Sequence, residues 1–549
     1  MEAVPSPGGT RLEEEAGGVE WFDNWALSLA VFLPLVGAVV IAVLPGARRN
    51  AAQPADGAAA EAAPRRGQGP LLAAALVFTG LPLLVGIGML ARFDYSAGRT
   101  MQFEVKRSWI ASIGAGYHVG VDGIALPLLV LSLLLSFLCV VYSTRILPEP
   151  RNPRAFLVLL LALETGMNGT FAALDLILFF VFWELVLIPM YFIIAVWGGP
   201  RRDYASVKFI LYTLIGSVIM LLGFLALWFK SGPDAASRTF DMLALQGMGA
   251  TRFAGTFGVI VFLAIGIGFA VKVPMWPLHT WLPDAHTEAP TVGSVLLAGV
   301  LLKMGTYAFV RIGLPILPDA ARWWAPTIGV LGAIAIIYGS LCCLAQRDVK
   351  RLIAYSSVGH MGFVMLGIST LTTIGINAAV FGMVAHGVIT GMLFFLAGSI
   401  HERYHTRDIV ELGGGMAKSM PRLAGIFTLA CIASLGLPGL AGFWGEILAL
   451  LAAWNPAPGL SVPLFRTLAA VGLVGTLLTA GYFLWLLQRV NLGRAPDRWE
   501  GRPLGDIAPV EVAAWSPLVV LIVALGFVPG LVLWMTNPSV TGWFTDLFA

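Results

Sequence analysis

The sequence predicts an all-α polytopic membrane protein with about fourteen transmembrane helices. Of its 549 residues, 58% are hydrophobic and only 12% are charged, and the mean hydropathy is +0.84. Soluble domains hold about 45–50% apolar and about 25% charged residues, so this excess has no soluble explanation at this length. The apolar runs reach the length of about 20 residues that a helical span requires. They do not alternate with polar residues, which excludes a membrane β-barrel.

The predicted spans follow one another along the whole chain in windows of about 19 residues. Their limits are 25–45, 70–91, 122–143, 153–171, 174–197, 204–229, 254–276, 290–314, 322–345, 350–370, 373–400, 421–453, 464–491 and 512–536. Most loops between them are short, so neighbouring helices should pack antiparallel. Gly46 to Gln68 is rich in Ala, Pro, Gly and Arg and reads as a flexible surface loop. Arg92 to Val121 mixes aromatic and polar residues with glycines and is compatible with a short hairpin.

Neither end of the chain suggests a soluble catalytic domain or a cleaved leader. The stretch from Met1 to Trp21 is polar and lacks the basic region and short apolar core of a signal peptide. The first apolar run is therefore predicted to be a retained span. The cysteines all lie inside apolar runs without a CxxC pair, which indicates packing residues rather than a metal or iron–sulfur site. They are Cys139, Cys342, Cys343 and Cys431.

Lysine and arginine placement predicts the orientation, because cytoplasmic loops carry the excess of these residues. With an even number of spans both termini lie on one side. Of the 34 lysines and arginines, 20 fall on the opposite side and 11 on the terminal side. Both termini are therefore predicted to lie outside the cytoplasm. The remaining three, Lys208, Lys272 and Lys303, fall within spans.

Ionisable side chains well inside a span are the most informative residues, since each costs about 2.5–3.5 kcal/mol at a helix centre on insertion scales. They are Glu164, Glu184, Lys272, Lys303, His360, His386 and Glu446. Glu164 lies nearer a span end, where simple solvation would explain it equally well. Lys208 is about one turn inside its span and is predicted to snorkel. Asp122 and Asp175 sit at span ends, where solvation or helix capping explains them.

Glu184 and Lys272 are predicted partners in proton exchange. Glu184 lies in VFWELVLIPMY with more than a turn of apolar residues on both sides. A low dielectric favours the neutral form of a carboxylate unless a cation is near, which is the sensitivity that a proton-loading site needs. Lys272 is followed by Pro274 and Pro277, and each proline removes a backbone donor, so the helix should break just after the lysine. Broken helices at membrane depth line a cavity or lie buried in protein. The alternatives are a structural ion pair and a kink that serves packing alone.

Lys303 and Glu446 extend the predicted proton path. Lys303 lies mid-span in GVLLKMGTYAFV and is the candidate for a central relay. Glu446 follows LGLPGLAGFWG, which repeats the broken-helix pattern and suggests paired structural repeats. For both residues the alternative is pairing for structure alone.

Four histidines are further relay candidates, because an unperturbed imidazole titrates near about pH 6.5. His279 and His286 flank Trp281 and Asp284 just past the seventh span. His360 and His386 lie in SSVGHMGFV and VAHGVITGML. The alternative for each is a hydrogen-bonded packing residue.

Three long motifs resemble the antiporter-like subunits of proton-pumping NADH:quinone oxidoreductase, respiratory complex I. They are KVPMWPLHTWLPDAHTEAPTVGSVLLAGVLLKMGTYAFVRI, DVKRLIAYSSVGHMGFV and HGVITGMLFFLAGSIHERYHTRDI. The resemblance covers roughly Asp122 to Arg489. VFWELVLIPMYFI and HERYHTRDI are similar to the M-type branch, the counterpart of mitochondrial subunit four. That branch has a glutamate on its twelfth helix where the L and N types carry lysine, and Glu446 fits it. The chain also lacks the long C-terminal lateral helix of the L type.

The resemblance implies fourteen helices containing two inverted five-helix repeats with discontinuous helices. On this basis 1–152 holds N-terminal spans and loops, 153–321 and 322–491 hold the first and second repeats with one proton half-channel each, and 492–549 holds a C-terminal loop and span. The resemblance further implies Glu184 and Lys272 as a coupled pair, Lys303 as central relay and Glu446 as exit-side site. It implies no cofactor in this chain, with NADH, FMN, iron–sulfur clusters and quinone held by partner subunits. The implied partners are the L- and N-type subunits of the membrane arm.

Two functions fit these features at the level of the sequence. The first is a proton-translocating subunit that performs no redox chemistry itself. Charge changes in a neighbouring subunit would open the Glu184–Lys272 pair and release a proton towards Lys303 and Glu446. The second is a subunit of a multisubunit sodium/proton antiporter or of a membrane-bound hydrogenase, which share this ancestry. A purely structural role does not need four costly mid-span charges.

Overall fold

The computed structural model describes residues 9–44, 68–150, 152–502 and 504–548, and for 9–20 the backbone alone. The predicted loop from Gly46 to Gln68 lies, apart from Gln68, outside the described residues, as does the start of the polar N-terminal stretch. Within them the chain is almost entirely helical, and thirteen helices are long and apolar enough to cross a membrane. One interrupted pair of shorter helices completes the predicted fourteen.

The first half begins with four long helical spans, and a β-hairpin lies between the second and the third of them. Its helices are α1 (Gly9–Val43), α2 (Gly69–Arg92), α3 (Ala125–Ser143), α4 (Pro153–Ala172), α5 (Leu176–Leu185), α6 (Leu187–Trp197), α7 (Arg202–Ser231), α8 (Met242–Arg252), α9 (Gly255–Lys272) and α10 (Trp281–Glu288). Helices α5 and α6 form one span that kinks at Val186, three residues before Pro189.

The central helix runs from Thr291 to Ile316 and is buried along its whole apolar window. It is built from α11 (Thr291–Leu296), a π-helical segment (Leu297–Leu301), α12 (Leu302–Ala308), a second π-helical segment (Phe309–Gly313) and α13 (Leu314–Ile316). Because no part of this window faces lipid, a polar side chain on it can meet only protein or internal cavities.

The second half contains two further spans that are buried inside the bundle, and several helices that lie at its periphery. Its helices are α14 (Pro318–Leu344), α15 (Val349–Ser369), α16 (Thr373–Tyr404), α17 (Ile409–Leu412), α18 (Met416–Ser419), α19 (Pro421–Ser434), α20 (Ala441–Trp454), α21 (Val462–Val490), α22 (Pro509–Phe527) and α23 (Gly530–Phe548). Helices α15 and α16 are almost entirely buried, whereas α14, α21 and α22 expose about half of their apolar windows or more. The core therefore consists of the central helix with α15 and α16.

Both predicted helix breaks are present. Helix α9 ends at Lys272, and α10 resumes at Trp281 after the two prolines. Helix α19 ends at Ser434, and α20 begins at Ala441. The second connection turns through Gly436 and Gly439, whose φ angles of 82° and 92° lie in the left-handed region that glycine adopts without strain.

The segment from Arg92 to Val121 forms the hairpin that its composition allows. Strand β1 (Gln102–Ile110) pairs with β2 (Ala115–Val121) in antiparallel register, with Val105 opposite Val119. The hairpin lies against the loops before α3 and α5, where the amide of Gly116 donates to Asp175.

The last predicted span, 512–536, is wrong in one respect. Helix α22 ends at Phe527, and a separate helix, α23, follows Pro529. Proline offers no backbone donor and restricts the residue before it, and Val528 is accordingly non-helical. The apolar run continues across this break, so hydropathy alone merges the two helices.

Candidate functional site

The end of α9 is fixed by hydrogen bonds that replace the helical pattern. Pro274 and Pro277 supply no amide hydrogen, and the amide of Met275 bonds one residue out of register to the carbonyl of Ala270, at 2.9 Å. The freed carbonyl of Val271 accepts instead from the Trp281 indole nitrogen at 2.9 Å. These two carbonyls are therefore satisfied at the break, which leaves Lys272 as the last residue of α9.

Lys272 interacts electrostatically with Glu184, and it contacts an aromatic ring rather than forming the ion pair that was the alternative for these two residues. The lysine is 1% exposed, and its Nζ makes no hydrogen bond with any described residue. It lies over the indole of Trp183, 4.9 Å from the ring centroid. The Glu184 carboxylate is near enough to interact electrostatically with Lys272 and faces the Ser217 hydroxyl. The sequence missed the contribution of Trp183, although a cation above an indole ring is a recognised stabilising contact.

Lys303 lies in α12 directly after the first π-helical segment. It is 0% exposed, and its Nζ donates to the carbonyl of Ala298 inside that segment. Gly305 allows α12 to approach the end of α9, since a Cβ there would lie 2.7 Å from the Phe269 carbonyl oxygen. The two lysine-bearing segments are thus packed backbone to backbone.

A continuous line of side chains connects Lys303 with Glu446. Lys303 Nζ lies 2.6 Å from His386 Nδ1. The rings of His386 and His360 are edge to face with centroids 5.6 Å apart. His360 Nδ1 lies 3.1 Å from Glu446 Oε1, and its Nε2 lies 3.0 Å from the Ser434 hydroxyl. These four ionisable groups come from the central helix, α16, α15 and α20.

A small cavity of about 30 Å³ lies between the histidines and the glutamate. Its lining includes His360, His386, Thr390, Ser434 and Glu446. A space of this size holds one or two water molecules, and the lining offers several polar partners for them. His360 therefore contacts Glu446 directly, and a water molecule in this space could bridge His386 to the same carboxylate.

Glu446 sits against the turn of the second broken helix. A Cβ on Gly436 would lie 3.2 Å from its Oε2, and the Thr476 hydroxyl is 3.5 Å from the same atom. Gly445 permits α20 to cross α16 closely, because a Cβ there would lie 2.8 Å from the Gly382 Cα. The glycines of this motif thus bring the glutamate to the two histidines.

The other two predicted histidines lie on and beside α10. His286 is fully buried and stacks on Phe394 with ring centroids 4.6 Å apart, and neither ring nitrogen bonds to a described residue. Its charge environment includes both Lys303 and a second buried lysine, Lys350. His279 contacts the Tyr338 ring edge to face at 5.0 Å and is not part of the Lys303–Glu446 line.

Lys350 is a site residue that the sequence reasoning missed. As the first residue of the predicted span 350–370, it is counted only among the basic residues in loops and at span ends that predict the orientation. It lies in the first turn of α15, is almost completely buried, and donates to the carbonyl of Ala289 at the end of α10. Asp348 and Arg351 nearby make Lys350 look like an ordinary basic residue at a span end. The apolar residues that follow it are the only sequence signal of its burial.

Three further expectations about ionisable residues need correction. Solvation does not explain Glu164, since it is 0% exposed and neither of its carboxylate oxygens bonds to a described residue. Lys208 does not snorkel freely but pairs with Asp284 at 2.7 Å. Asp122 caps α3 as predicted, yet it is buried and also pairs with Arg311, which lies near the end of the predicted span 290–314.

The buried pair of Asp122 and Arg311 belongs to a network around the C-terminal helix. The Trp543 indole donates to Asp122 Oδ2 at 2.9 Å, and the amide of Gly123 donates to the Ser539 hydroxyl at 2.9 Å. Arg311 Nε also donates to the Tyr307 hydroxyl at 3.2 Å, one helical turn beyond Lys303. The network ties α23 to the start of α3 and to the end of the central helix.

A second acidic network lies outside the spans, at the hairpin. His118 Nδ1 lies 2.8 Å from Asp241 Oδ2 and its Nε2 lies 2.8 Å from Glu104 Oε1, while Lys106 pairs with Asp241 at 2.6 Å. Burial alone would raise the pKa of the Asp241 carboxyl, but the hydrogen bonds from His118 and Lys106 hold this pKa well below its usual range. Asp241 therefore stays ionised and anchors the hairpin to α8.

In the part of the chain that the structure describes, fourteen spans, including the two predicted broken ones, and a buried line of lysine, histidine and glutamate define an antiporter-like membrane subunit. The model of the family described as NADH:quinone oxidoreductase/Mrp antiporter, TM, matches residues 173–472. The chain is 41% identical over 523 residues to NADH-quinone oxidoreductase subunit M of Rhodobacter capsulatus, covering 94% of this chain and 95% of the relative. It is 38% identical over 514 residues to the subunit M of Rickettsia prowazekii, covering 94% and 97%. The chain belongs to the subunit M family of NADH-quinone oxidoreductases.

Solved structures agree with this assignment. A chain of respiratory complex I from Thermus thermophilus with bound NADH superimposes with a TM-score of 0.80 at 29% identity, covering 95% of this chain and all of that one. A chain of the Mrp complex from Dietzia sp. gives a TM-score of 0.79 at 21% identity, covering 95% of this chain and 98% of that one. At that identity the second likeness establishes the fold alone.

Proposed function

We propose that this chain translocates protons as a membrane subunit of an NADH:quinone oxidoreductase, driven by redox chemistry in other subunits. The observation that carries the proposal is the line from Lys303 through His386 and His360 to Glu446. Four ionisable groups from four different helices meet in the interior of the bundle. Ionisable residues inside membrane spans are costly, and proton relays are one of the functions that they commonly serve.

Glu184 and Lys272 form the switch at the start of the path. Lys272 has no hydrogen-bond acceptor among the described residues, and its nearest contact is the Trp183 ring. Its charge is therefore balanced mainly by the field of Glu184 and by the ring. A charge change in an adjacent subunit that draws the carboxylate away leaves the ammonium unbalanced in a low dielectric, so its proton moves towards Lys303.

Lys350 and His286 provide the proton entry to Lys303 from the membrane side opposite the termini. Lys350 touches the end of α10, and His286 senses both Lys350 and Lys303. A proton taken up at Lys350 can pass by way of His286 to the central lysine. His279 lies in the break between α9 and α10, and it would carry protons between Lys272 and the membrane surface. The two breaks take matching places in the repeats 153–321 and 322–491.

The partners follow from the same assignment. L- and N-type antiporter-like subunits flank this chain in the membrane arm, and NADH, FMN, iron–sulfur clusters and quinone belong to partner subunits. The four cysteines are free thiols, three of them buried, which fits packing residues. The lysine and arginine distribution places both termini on the non-cytoplasmic side of a bacterial inner membrane.

A sodium/proton antiporter or membrane-bound hydrogenase subunit remains the second candidate on fold alone. The Mrp chain and a chain of an archaeal membrane-bound sulfane sulfur reductase share the fold at 21% and 23% identity. The sequence relatives at 38% to 41% identity are NADH-quinone oxidoreductase subunits, which favours the first function.

The test is NADH-driven proton uptake in inside-out membrane vesicles, comparing wild type with Glu184→Gln. Glutamine preserves the shape and the contact with Ser217 but cannot carry the charge. Lost pumping with a normally assembled complex supports the proposal, and Lys272→Ala should behave alike. Normal pumping in both variants would refute the proposed role of Glu184 and Lys272 as the switch. Sodium-dependent proton exchange without any NADH-dependent activity in the wild type would instead support the antiporter.

A further inference from the structure

A large open cavity lies at the membrane surface, away from the proton path. It has a volume of about 840 Å³ and is formed between the end of α14, the short helix α17 and the end of α21. Three arginines line it: Arg347, Arg489 and Arg494. The floor is a built structure, since the amide of Gly415 bonds to the Leu492 carbonyl at 3.1 Å and that of Ala417 bonds to the Asn491 carbonyl at 3.1 Å.

The three arginines carry positive charge that the described part of the chain does not neutralise. All three are exposed, and none pairs with a described carboxylate. Neighbouring arginines differ in this respect, since Arg407 pairs with Asp348 and Arg403 pairs with Glu511. Three like charges around one cavity repel one another and attract an anion.

The rim of the same cavity is apolar. Val410 and Leu492 are 74% and 58% exposed, and Leu344 is also exposed. Trp485 lines the cavity one helical turn before Arg489, whose guanidinium lies 6.0 Å from the indole centroid. A tryptophan followed by a basic residue at the end of a span marks the level of the lipid headgroups. The cavity therefore offers positive charge and apolar surface at the same depth.

We propose that this cavity binds the phosphate headgroup of an anionic phospholipid. Guanidinium groups form two parallel hydrogen bonds with phosphate oxygens, and three of them line this cavity. The volume falls within the range of small-molecule sites and accommodates a headgroup with its glycerol. The exposed apolar rim then meets the acyl chains, a contact that free phosphate cannot make. Basic pockets between spans are a known type of site for such headgroups.

The test uses the full chain within its purified complex, titrated in detergent with dioleoyl phosphatidylglycerol and followed by native mass spectrometry. Dioleoyl phosphatidylcholine and inorganic phosphate are titrated in parallel. The site variant combines Arg347→Gln, Arg489→Gln and Arg494→Gln. The matched control combines Lys418→Gln, Arg422→Gln and Arg502→Gln, which removes the same charge from exposed positions outside the cavity.

Wild type should bind phosphatidylglycerol more tightly than phosphatidylcholine. Each arginine near the surface contributes about fivefold in affinity, so the site variant should bind about 100-fold more weakly. The control should change less than about twofold. Equal binding by the site variant and wild type would overturn the proposal, as would displacement of the lipid by inorganic phosphate at equal concentration.

A protein partner is the remaining occupant to distinguish. Val410→Cys should react with a membrane-impermeant maleimide once lipid has been stripped from the complex. Protection that persists after stripping would show that a neighbouring subunit covers the cavity, and it would overturn the lipid assignment.

Discussion

The hydrogen bond between Lys303 and His386 joins the central lysine to the second half of the proposed proton path. Lys303 Nζ and His386 Nδ1 are 2.6 Å apart, and both side chains are buried. His386→Phe removes the acceptor and keeps a ring of similar size. His386→Asn keeps an acceptor near the position of Nδ1 but has no second nitrogen through which a proton can leave.

The magnitude follows from the burial of this contact. A hydrogen bond to a charged group contributes about 1.5–3 kcal/mol, and no solvent screens this one. Since about 1.4 kcal/mol corresponds to a factor of ten in rate, His386→Phe should slow coupled proton transfer by about 10- to 150-fold. His386→Asn should slow it by a similar factor, although Lys303 retains its partner.

The assay is NADH-driven proton uptake in inside-out vesicles, normalised to the amount of assembled complex in each membrane preparation. The asparagine variant separates relay from structure, because a merely structural acceptor is replaced by the amide oxygen. Wild-type pumping by His386→Asn, with pumping lost only in His386→Phe, would refute the relay and leave His386 as a positioning residue for Lys303.

Three other substitutions test the fold around the path. Gly305→Ala should destabilise the assembled subunit by about 1–3 kcal/mol because its Cβ enters the backbone of α9, whereas Gly425→Ala, with open space around it, should not lower the thermal midpoint. Arg311→Met should cost about 3–5 kcal/mol by leaving Asp122 buried without its partner, measured as loss of assembled complex; unchanged assembly would contradict this. Asp241 has a lowered folded-state pKa, so its contribution is present above the unfolded value of about 3.9 and is lost as pH falls below it. Wild type should therefore lose thermal stability as the pH falls from about 4 to about 2, and Asp241→Asn, less stable at neutral pH, should lose less over that range.

The fold was largely predictable because the bilayer imposes simple rules on the sequence. A span needs an apolar run of about 20 residues, and prolines within such a run indicate a break. These rules located both interrupted helices and the lysine at the end of α9. They failed at Val528 and Pro529, where the apolar run continues through a real helix end.

The sequence could predict most residues of the candidate site, but not the contacts that join them. Mid-span charge marked Lys303 and Glu446, and the line between them depends on two histidines that the sequence could only nominate. The π-helical segments on either side of α12 have no recognised sequence signal, so the sequence could not predict them. The sequence did not single out Trp183, because a tryptophan in an apolar run is usually a packing residue. It did not single out Lys350, because that residue stands at a span end beside other charged residues.

The small cavity beside Glu446 also has a consequence for which ions can travel this way. Its volume of about 30 Å³ leaves no room for a metal cation that keeps its water shell. A dehydrated cation would need several oxygen ligands, yet the walls offer one carboxylate, two hydroxyls and imidazole nitrogens. A proton needs neither space nor a ligand shell, since it passes along hydrogen bonds. On the proposed path, this cavity would therefore admit a proton and exclude a hydrated metal cation.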